Sequence, residues 1–393
     1  MKIGEIKKLY DDYVLRTYTR QDLCLVDGDG VWVEDSEGKK YLDFFPGWAV
    51  SGIGHRHPRV VARIERQLKK ILHVSNNYYN EVQPLLAQRI IQHSFPGKVF
   101  FSNSGAEANE GAIKLARRYG NPDRYEVITM EKSFHGRTLA TLTATGQEKV
   151  KEGFSPLPEG FKHVPFNDIE AFKSAVTKKT IAVIIEPVQG EGGINVPDED
   201  YMKQLRHFCR DNDILLIVDE VQTGMGRTGE MFAYSHFGIE PDAMTLAKSL
   251  GGGLPIGALV VSEKYKGVLS PGTHASTFGG SPLVSAAALG VFEAIEEEGL
   301  LENAVNMGEY LVARLEELGR DRNVIEEVKG KALMIGVKLS VPDASGVAET
   351  CMKEGLLINC TQKNILRIMP PLVVTKTHVD MAIEKLSKAL EKA

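Results

Sequence analysis

Two runs, TIAVIIEPV (residues 180–188) and ILLIVDE (residues 214–220), are apolar almost without interruption over strand-sized lengths. A strand with one wet face alternates apolar and polar residues. One that does not alternate must be covered on both faces, as in a parallel sheet with helices above and below. Between the two runs DEDYMKQLRHFCRDND has a helical period. Earlier in the chain KVFFSNS reads as a strand and AEANEGAIKLARRYG as a helix. That helix places Ala108, Ala112, Leu115, Ala116 and Tyr119 on one face, and Gly120 and Pro122 stop it. IGALVVSE supplies a further strand. This alternation predicts an open, mostly parallel α/β sheet as the main body.

The flanks differ in character. The first fifty residues read as a short helix and then a β-meander, because LCLVDGDGVWVEDSEGKKYLDF alternates around Gly-Asp-Gly and Ser-Glu-Gly turns. The Pro/Gly-rich stretch KEGFSPLPEGFKHVPFND reads as a long loop over one face of the sheet. Beyond about residue 290, two charged amphipathic helices (around 286–319) lead to short strands in ALMIGVKLS, GLLINCT and ILRIMP and to a final helix. They describe a smaller α+β unit, open to recruiting the N-terminal meander.

Bulk properties exclude several classes of function. A formal charge of -5 and a pI near 6.1 leave no footprint for nucleic acid or an anionic membrane. The charged N-terminus has no apolar core of a secretory signal, and no run approaches membrane-spanning length. Four scattered cysteines, Cys24, Cys209, Cys351 and Cys360, form no CxxC pair, which fits a reducing cytoplasm. His55 and His57 in GHRHP lack a third ligand at a plausible spacing, so no metal is expected.

Four local features carry chemistry. Lys248, in TLAKSLGGGLPIG, stands before three glycines, where backbone approaches a ligand closely; a lysine that loses its proton forms Schiff bases. Asp219 ends a buried strand, where ligands of open α/β sheets bind. It is a candidate metal ligand, ribose binder, or partner of a protonated pyridine nitrogen. Next to it, Val221 offers an apolar ring contact and Gln222 a donor. SNSGAEAN (102–109) joins a strand to a helix and puts Ser104, Gly105 and Ala106 where the helix N-terminus favours a phosphate. In SFHGRT (133–138), Phe134 is suited to stacking on a flat ring and Arg137 to pairing with a carboxylate. Each has a plain reading on its own: a loop lysine, a capping acid, a helix cap, a core ring beside a surface arginine. Together, and in this order, they make the set of parts that pyridoxal 5′-phosphate needs, and no GxGxxG or P-loop competes.

With these residues stand YLDF…GHRHP, FFSNSGAEANEGAIKLAR, SFHGRTLATLTATGQ, IIEPVQGEGG, LLIVDEVQTGMGRTG, PDAMTLAKSLGGGLPIGA, GTHASTFGGSPL and GLLINCTQKNILRIMPPL. Over nearly its whole length the chain resembles the class III, or ω-, aminotransferases. GTHASTFGG, GLLINCT and TATGQ tilt it towards the acetylornithine branch. The resemblance implies fold-type I: a large domain (51–290) with a mostly parallel seven-stranded sheet, and a smaller α+β domain built from 1–50 and 291–393. It implies catalysis by Lys248 and Asp219. Lys248 would carry the cofactor as a Schiff base and shuttle a proton, while Asp219 would hold the pyridinium. Phe134 and Val221 would enclose the ring, Gln222 would touch its phenolate, and Ser104, Gly105 and Ala106 would hold the phosphate. Thr277 would reach the phosphate of a neighbouring subunit in a homodimer with shared sites, and Ser276 would approach substrate. Arg137 would take the distal carboxylate of either substrate, and Arg367 the α-carboxylate of glutamate. Glu191 would cover Arg367 when N-acetylornithine is bound.

The implied reaction passes an amino group from N-acetylornithine to 2-oxoglutarate. Succinylornithine, ornithine, 4-aminobutyrate and N-acyl-diaminopimelate remain donors that the same cofactor residues would serve. Two positions depart from the family pattern: Trp48, where a smaller residue or a tyrosine is expected, and Ser249, where glycine is expected. Trp48 bears on the choice of donor.

Overall fold

Both apolar runs lie at the centre of a seven-stranded sheet. The computed structural model describes residues 1–322 and 324–392. Its strands begin with a meander of β1 (Leu25–Asp29), β2 (Trp32–Asp35) and β3 (Lys40–Asp43). The large sheet takes β4 (Gly97–Ser102), β5 (Glu126–Met130), β6 (Phe161–Val164), β7 (Thr180–Ile185), β8 (Leu215–Asp219), β9 (Ala243–Leu246) and β10 (Gly257–Ser262). After it come β11 (Ile325–Lys331), β12 (Met334–Leu339), β13 (Leu356–Leu357), β14 (Asn359–Thr361) and β15 (Ile365–Ile368).

The large sheet runs β4-β10-β9-β8-β7-β5-β6. From β9 to β6 every neighbouring pair is parallel; β10 alone is antiparallel to both its neighbours. Every residue of β7, β8 and β9 is buried, which is why these strands read as unbroken apolar runs. The helix Gly105–Gly120 packs on one face through Ala112, Ile113, Leu115 and Ala116. The helix Glu199–Asp211 belongs to the other and larger core, to which it contributes Tyr201, Met202, Leu205 and Cys209.

One expectation is corrected. The stretch 151–168 is not wholly a loop, because Phe161–Val164 within it adds an edge strand parallel to β5. Its first three residues are only half-buried, so the run is short and mixed, and flanking prolines mask it. The helix expected to begin near 286 starts at Pro282, with Ser281 before it, and ends at Glu297; a second runs over Leu300–Arg322.

The two smaller sheets draw on both flanks. In β1-β2-β3-β13 the last strand pairs in parallel with β3, Leu356 against Leu42, joining the N-terminal meander to the C-terminal part of the chain. The other sheet runs β11-β12-β15-β14. His55 pairs with Asp43 at 2.7 Å, and His57 caps the helix Pro58–Leu68 and faces Glu298. No helix among the described residues is long and apolar enough to cross a membrane.

Candidate active site

Beyond the carboxyl ends of β7, β8 and β9 lies a cavity of about 460 Å³. It gathers Lys248, Asp219, Phe134, Val221, Gln222 and the Ser104–Ala106 turn, and it reaches Arg137 and Glu191. This is where open α/β sheets bind ligands.

Asp219, the last residue of β8, is 3% exposed. Its Oδ2 accepts hydrogen bonds from His135 Nδ1 and Asn109 Nδ2, each 2.8 Å, and its Oδ1 accepts the Val221 N–H at 3.0 Å. A carboxylate accepts about four such bonds, so one lone pair is left for a further donor. Asn109 is itself locked, donating also to the His135 carbonyl and accepting from Thr245 Oγ1 at 2.8 Å. Burial disfavours the charged imidazole of His135. The Asp219 hydrogen bond and charge, helped by Glu186, outweigh it and hold the His135 pKa above its usual value. The acid is thus aimed by two side chains and a backbone N–H rather than left as a strand-end cap.

Lys248 follows β9 at φ 47, in the left-handed region, and opens a short 3-10 turn through Gly251. A non-glycine residue there costs about 1–3 kcal/mol, the kind of strain that persists at functional sites. Gly252 (φ 56) and Gly253 (φ 111) complete the turn with conformations that favour glycine. Burial is the main influence on the lysine amine and pushes its pKa below the usual value; Glu191 and Asp219 pull it back up, and Arg367 adds to the depression. A less protonated amine is the nucleophilic form.

Ser104 both caps and faces the cavity. Its Oγ accepts the Glu107 N–H at 3.1 Å, which leaves its own O–H free to donate outward. Gly105 starts the helix so near Val221 that a β-carbon would lie 2.8 Å from Val221 Cγ1. That approach keeps first-turn N–H groups beside Val221. On the other side, Phe134 is held by its own backbone, whose N–H donates to Glu186 Oε2 at 3.2 Å. Glu186 Oε1 accepts the Gly190 N–H at 3.3 Å. Burial, with the nearby charge of Asp219, pushes the Glu186 carboxyl up to about 7.

Arg367 is 1% exposed. Its Nη1 donates to Glu191 Oε1 at 2.8 Å, its guanidinium lies 4.8 Å from the Phe45 ring, and Asn359 takes its other edge. Arg137 is exposed at the mouth, 5.6 Å from the Phe134 ring. Ser276 reaches the cavity only through Asn103, which donates to its Oγ at 3.1 Å. Thr277 is exposed and lies outside the cavity of its own chain. Trp48, 48% exposed, stands edge-on to Phe45 with ring centroids 5.8 Å apart. Its φ of 58, with Ala49 at 64, puts two left-handed residues in succession.

The residues fit pyridoxal 5′-phosphate. Gln222 Oε1 is buried in the cavity wall with no partner. Buried polar atoms are rarely left so, and the amide, turned over, presents its N–H groups to an oxygen instead. A free acceptor site on Asp219, a depressed lysine and a helix N-terminus complete the match to a ring nitrogen, an aldehyde and a phosphate.

Comparison with known proteins agrees. The family model for class-III aminotransferases matches residues 13–390. The chain belongs to the class-III aminotransferases. These enzymes use pyridoxal 5′-phosphate. The acetylornithine aminotransferase of Caldanaerobacter subterraneus is 50% identical over 382 residues, 96% of this chain and 97% of that protein. That of Methanocaldococcus jannaschii is 50% identical over 380 residues, 96% and 95% respectively. Among solved structures, ornithine aminotransferase from Toxoplasma gondii, with partial occupancy of the cofactor at its active site, has a TM-score of 0.94. It is 31% identical and covers 98% of this chain and 94% of its own. Acetylornithine aminotransferase from Elizabethkingia anophelis has a TM-score of 0.89 at 31% identity, with all of both chains covered.

Sequence reasoning passed over three members of this aminotransferase site. Asn109 lies on the apolar face of its helix among alanines, and a polar residue there was a usable signal. Glu186, an acid at the end of an apolar run, gave the same signal as Asp219. Phe45, beneath Arg367, left none.

Proposed function

We propose that this aminotransferase moves the terminal amino group of N-acetylornithine to 2-oxoglutarate, releasing N-acetylglutamate 5-semialdehyde and glutamate in two alternating half-reactions. The observation that carries this reading is the 2.8 Å pair of Glu191 with Arg367, beside Lys248. Glutamate reacts at its α-carbon and brings a carboxylate next to the reacting atom. Acetylornithine reacts at its far amine and brings none. A buried arginine with its own carboxylate cover serves both: Glu191 neutralises it for the first substrate and swings aside for the second. Arg137, at the mouth, is placed for the distal carboxylate that both substrates carry.

Bound pyridoxal 5′-phosphate supplies a carbonyl carbon that exchanges for an amino group and a ring that withdraws electrons from the substrate carbon. Asp219 would face the ring nitrogen, and His135 and Asn109 keep its carboxylate aimed. Phe134 and Val221 close the ring faces and exclude water. Ser104, Gly105 and Ala106 hold the phosphate, and Gln222 donates to the ring oxygen. Lys248 would hold the cofactor, and its Nζ is placed to serve as the base and acid that moves the proton of the substrate carbon.

We infer further that two copies pair. Tyr78, Tyr79, Ile71, Leu72 and Phe278 are exposed, and Phe278 adjoins Thr277. So large an apolar set on one chain favours burial against a partner. In that arrangement Thr277 serves the phosphate of the partner's site and Ser276 stands near substrate. The relatives named for acetylornithine support this donor; Trp48 is the residue through which another would enter.

The test is the visible cofactor band of the purified holoenzyme as N-acetylornithine, ornithine and 4-aminobutyrate are added in turn. Loss of the band with N-acetylornithine and its return with 2-oxoglutarate are expected. Loss with ornithine or 4-aminobutyrate alone would reassign the donor.

A further inference from the structure

Arg367 is gripped along three directions, and the partners differ in charge. Nη1 meets the Glu191 carboxylate at 2.8 Å. Nε and Nη2 both donate to one oxygen of Asn359, Oδ1, at 2.9 and 2.6 Å. One guanidinium face lies over Phe45. The Asn359 contact is built into the sheet: in the antiparallel pairing of β14 with β15, Asn359 stands directly opposite Arg367.

The same short strand and the residue that follows it also fix the backbone of Glu191. Thr361 Oγ1 and Gln362 Nε2 each donate to the Glu191 carbonyl at 3.0 Å. With that carbonyl pinned, uncovering Arg367 requires only rotation of the Glu191 side chain. β14 therefore holds the arginine through Asn359 and, two residues on, the hinge of its cover through Thr361.

A carboxamide on the Nε–Nη2 edge gives the acceptor geometry of a carboxylate without its charge. With Glu191 in place the cluster is neutral. With Glu191 rotated away, Arg367 keeps one full positive charge in a buried setting, where electrostatic interactions are strong. An aspartate at 359 would hold the arginine as firmly, yet leave no net charge for an incoming carboxylate. We propose that Asn359 is a positioning and specificity-determining residue for the dicarboxylate half-reaction. It aims Arg367 through a neutral acceptor, so that the guanidinium is balanced by one anion at a time, Glu191 or the substrate α-carboxylate. This rests on the assignment of Arg367 to glutamate made above.

The test compares holoenzymes carrying Asn359→Asp, Asn359→Ala and native Asn359, with each half-reaction followed separately by rapid mixing. N359D preserves shape and acceptor geometry. A purely structural role for Asn359 therefore predicts no selective loss. The proposal predicts that N359D raises the apparent Kd for glutamate and for 2-oxoglutarate at least ~tenfold, with an effect several times smaller on N-acetylornithine. Asn359→Ala, which loses the acceptor but adds no charge, is expected to weaken the dicarboxylates less than N359D. Adding Glu191→Gln to N359D removes one anion and should recover part of the lost affinity. Equal effects on both half-reactions, or a greater loss in Asn359→Ala than in N359D, would overturn the proposal. A native holoenzyme that fails to react with glutamate would instead overturn the assignment of Arg367 itself, whatever the variants do.

Discussion

Ser249, the residue after Lys248, donates through Oγ to the carbonyl of Ala49, the residue after Trp48. The turn that carries Lys248 is thereby tied to the segment that carries Trp48. Ser249 and Trp48 are thus joined through Ala49.

Ser249→Gly should cut that tie without touching the lysine. The expected outcome is a KM for the amino donor raised about threefold to tenfold, the order of one lost hydrogen bond, with the visible cofactor band unmoved. Steady-state kinetics and the absorption spectrum check both halves. A shifted band would mean that Ser249 shapes the lysine turn itself.

Trp48 pays for its place with a left-handed backbone. Trp48→Gly should relieve about 1 kcal/mol or more of strain and lose an edge-to-face contact with Phe45 of about 0.5–1.5 kcal/mol. Thermal unfolding should thus change little. The ratio of kcat/KM for N-acetylornithine over ornithine should fall several-fold. An unchanged ratio would remove Trp48 from donor choice.

Gly190 runs so close to Gln222 that a β-carbon on it would lie 1.6 Å from Gln222 Oε1. Gly190→Ala must therefore displace the amide or the loop that carries Glu191. Cofactor retention should weaken by about tenfold or more, in line with overpacking costs of about 1–3 kcal/mol. Titration of the apoenzyme with pyridoxal 5′-phosphate measures it. Unaltered affinity would show that Gln222 does not hold the cofactor.

Glu220, buried behind Asp219, accepts from Thr223 Oγ1 and from the Tyr234 N–H, and burial pushes its carboxyl up to about 7. Between about 4.5, its ordinary value, and 7 the native chain keeps a proton that the unfolded chain has released. Stability contributed by this group is therefore present below that window and is lost as pH rises through it, by up to about 3 kcal/mol. Glu220→Gln, always neutral and of the same shape, should flatten the dependence. Denaturant unfolding at about pH 4.5, 6 and 8 tests this; parallel curves for the two proteins would contradict it.

The large sheet was legible because β7, β8 and β9 are buried on both faces, and their composition carries that fact directly. β6 was not, since a half-buried edge strand between prolines has neither a clean period nor an apolar run. The residues that line the candidate site were legible for a different reason. Lys248, Asp219 and the Ser104–Ala106 turn sit at strand ends and helix starts, where local sequence states the local geometry. Asn359 and Phe45 act through partners that their own neighbourhoods in the sequence do not announce. The tie between Ser249 and Ala49, the residue after Trp48, became visible only in the fold.

The parallel pairing of Leu356 with Leu42 has a bearing on the order of events at the ribosome. All seven strands of the large sheet, with Lys248 and Asp219, have emerged before β13 exists. The meander, which leaves the exit tunnel earlier still, must wait with one edge unsatisfied until translation has passed the whole of that sheet. Phe45 waits with it for Arg367. On the roles proposed above, the residues for the cofactor and for a distal carboxylate are thus synthesised well before Arg367, the one proposed for the α-carboxylate of glutamate.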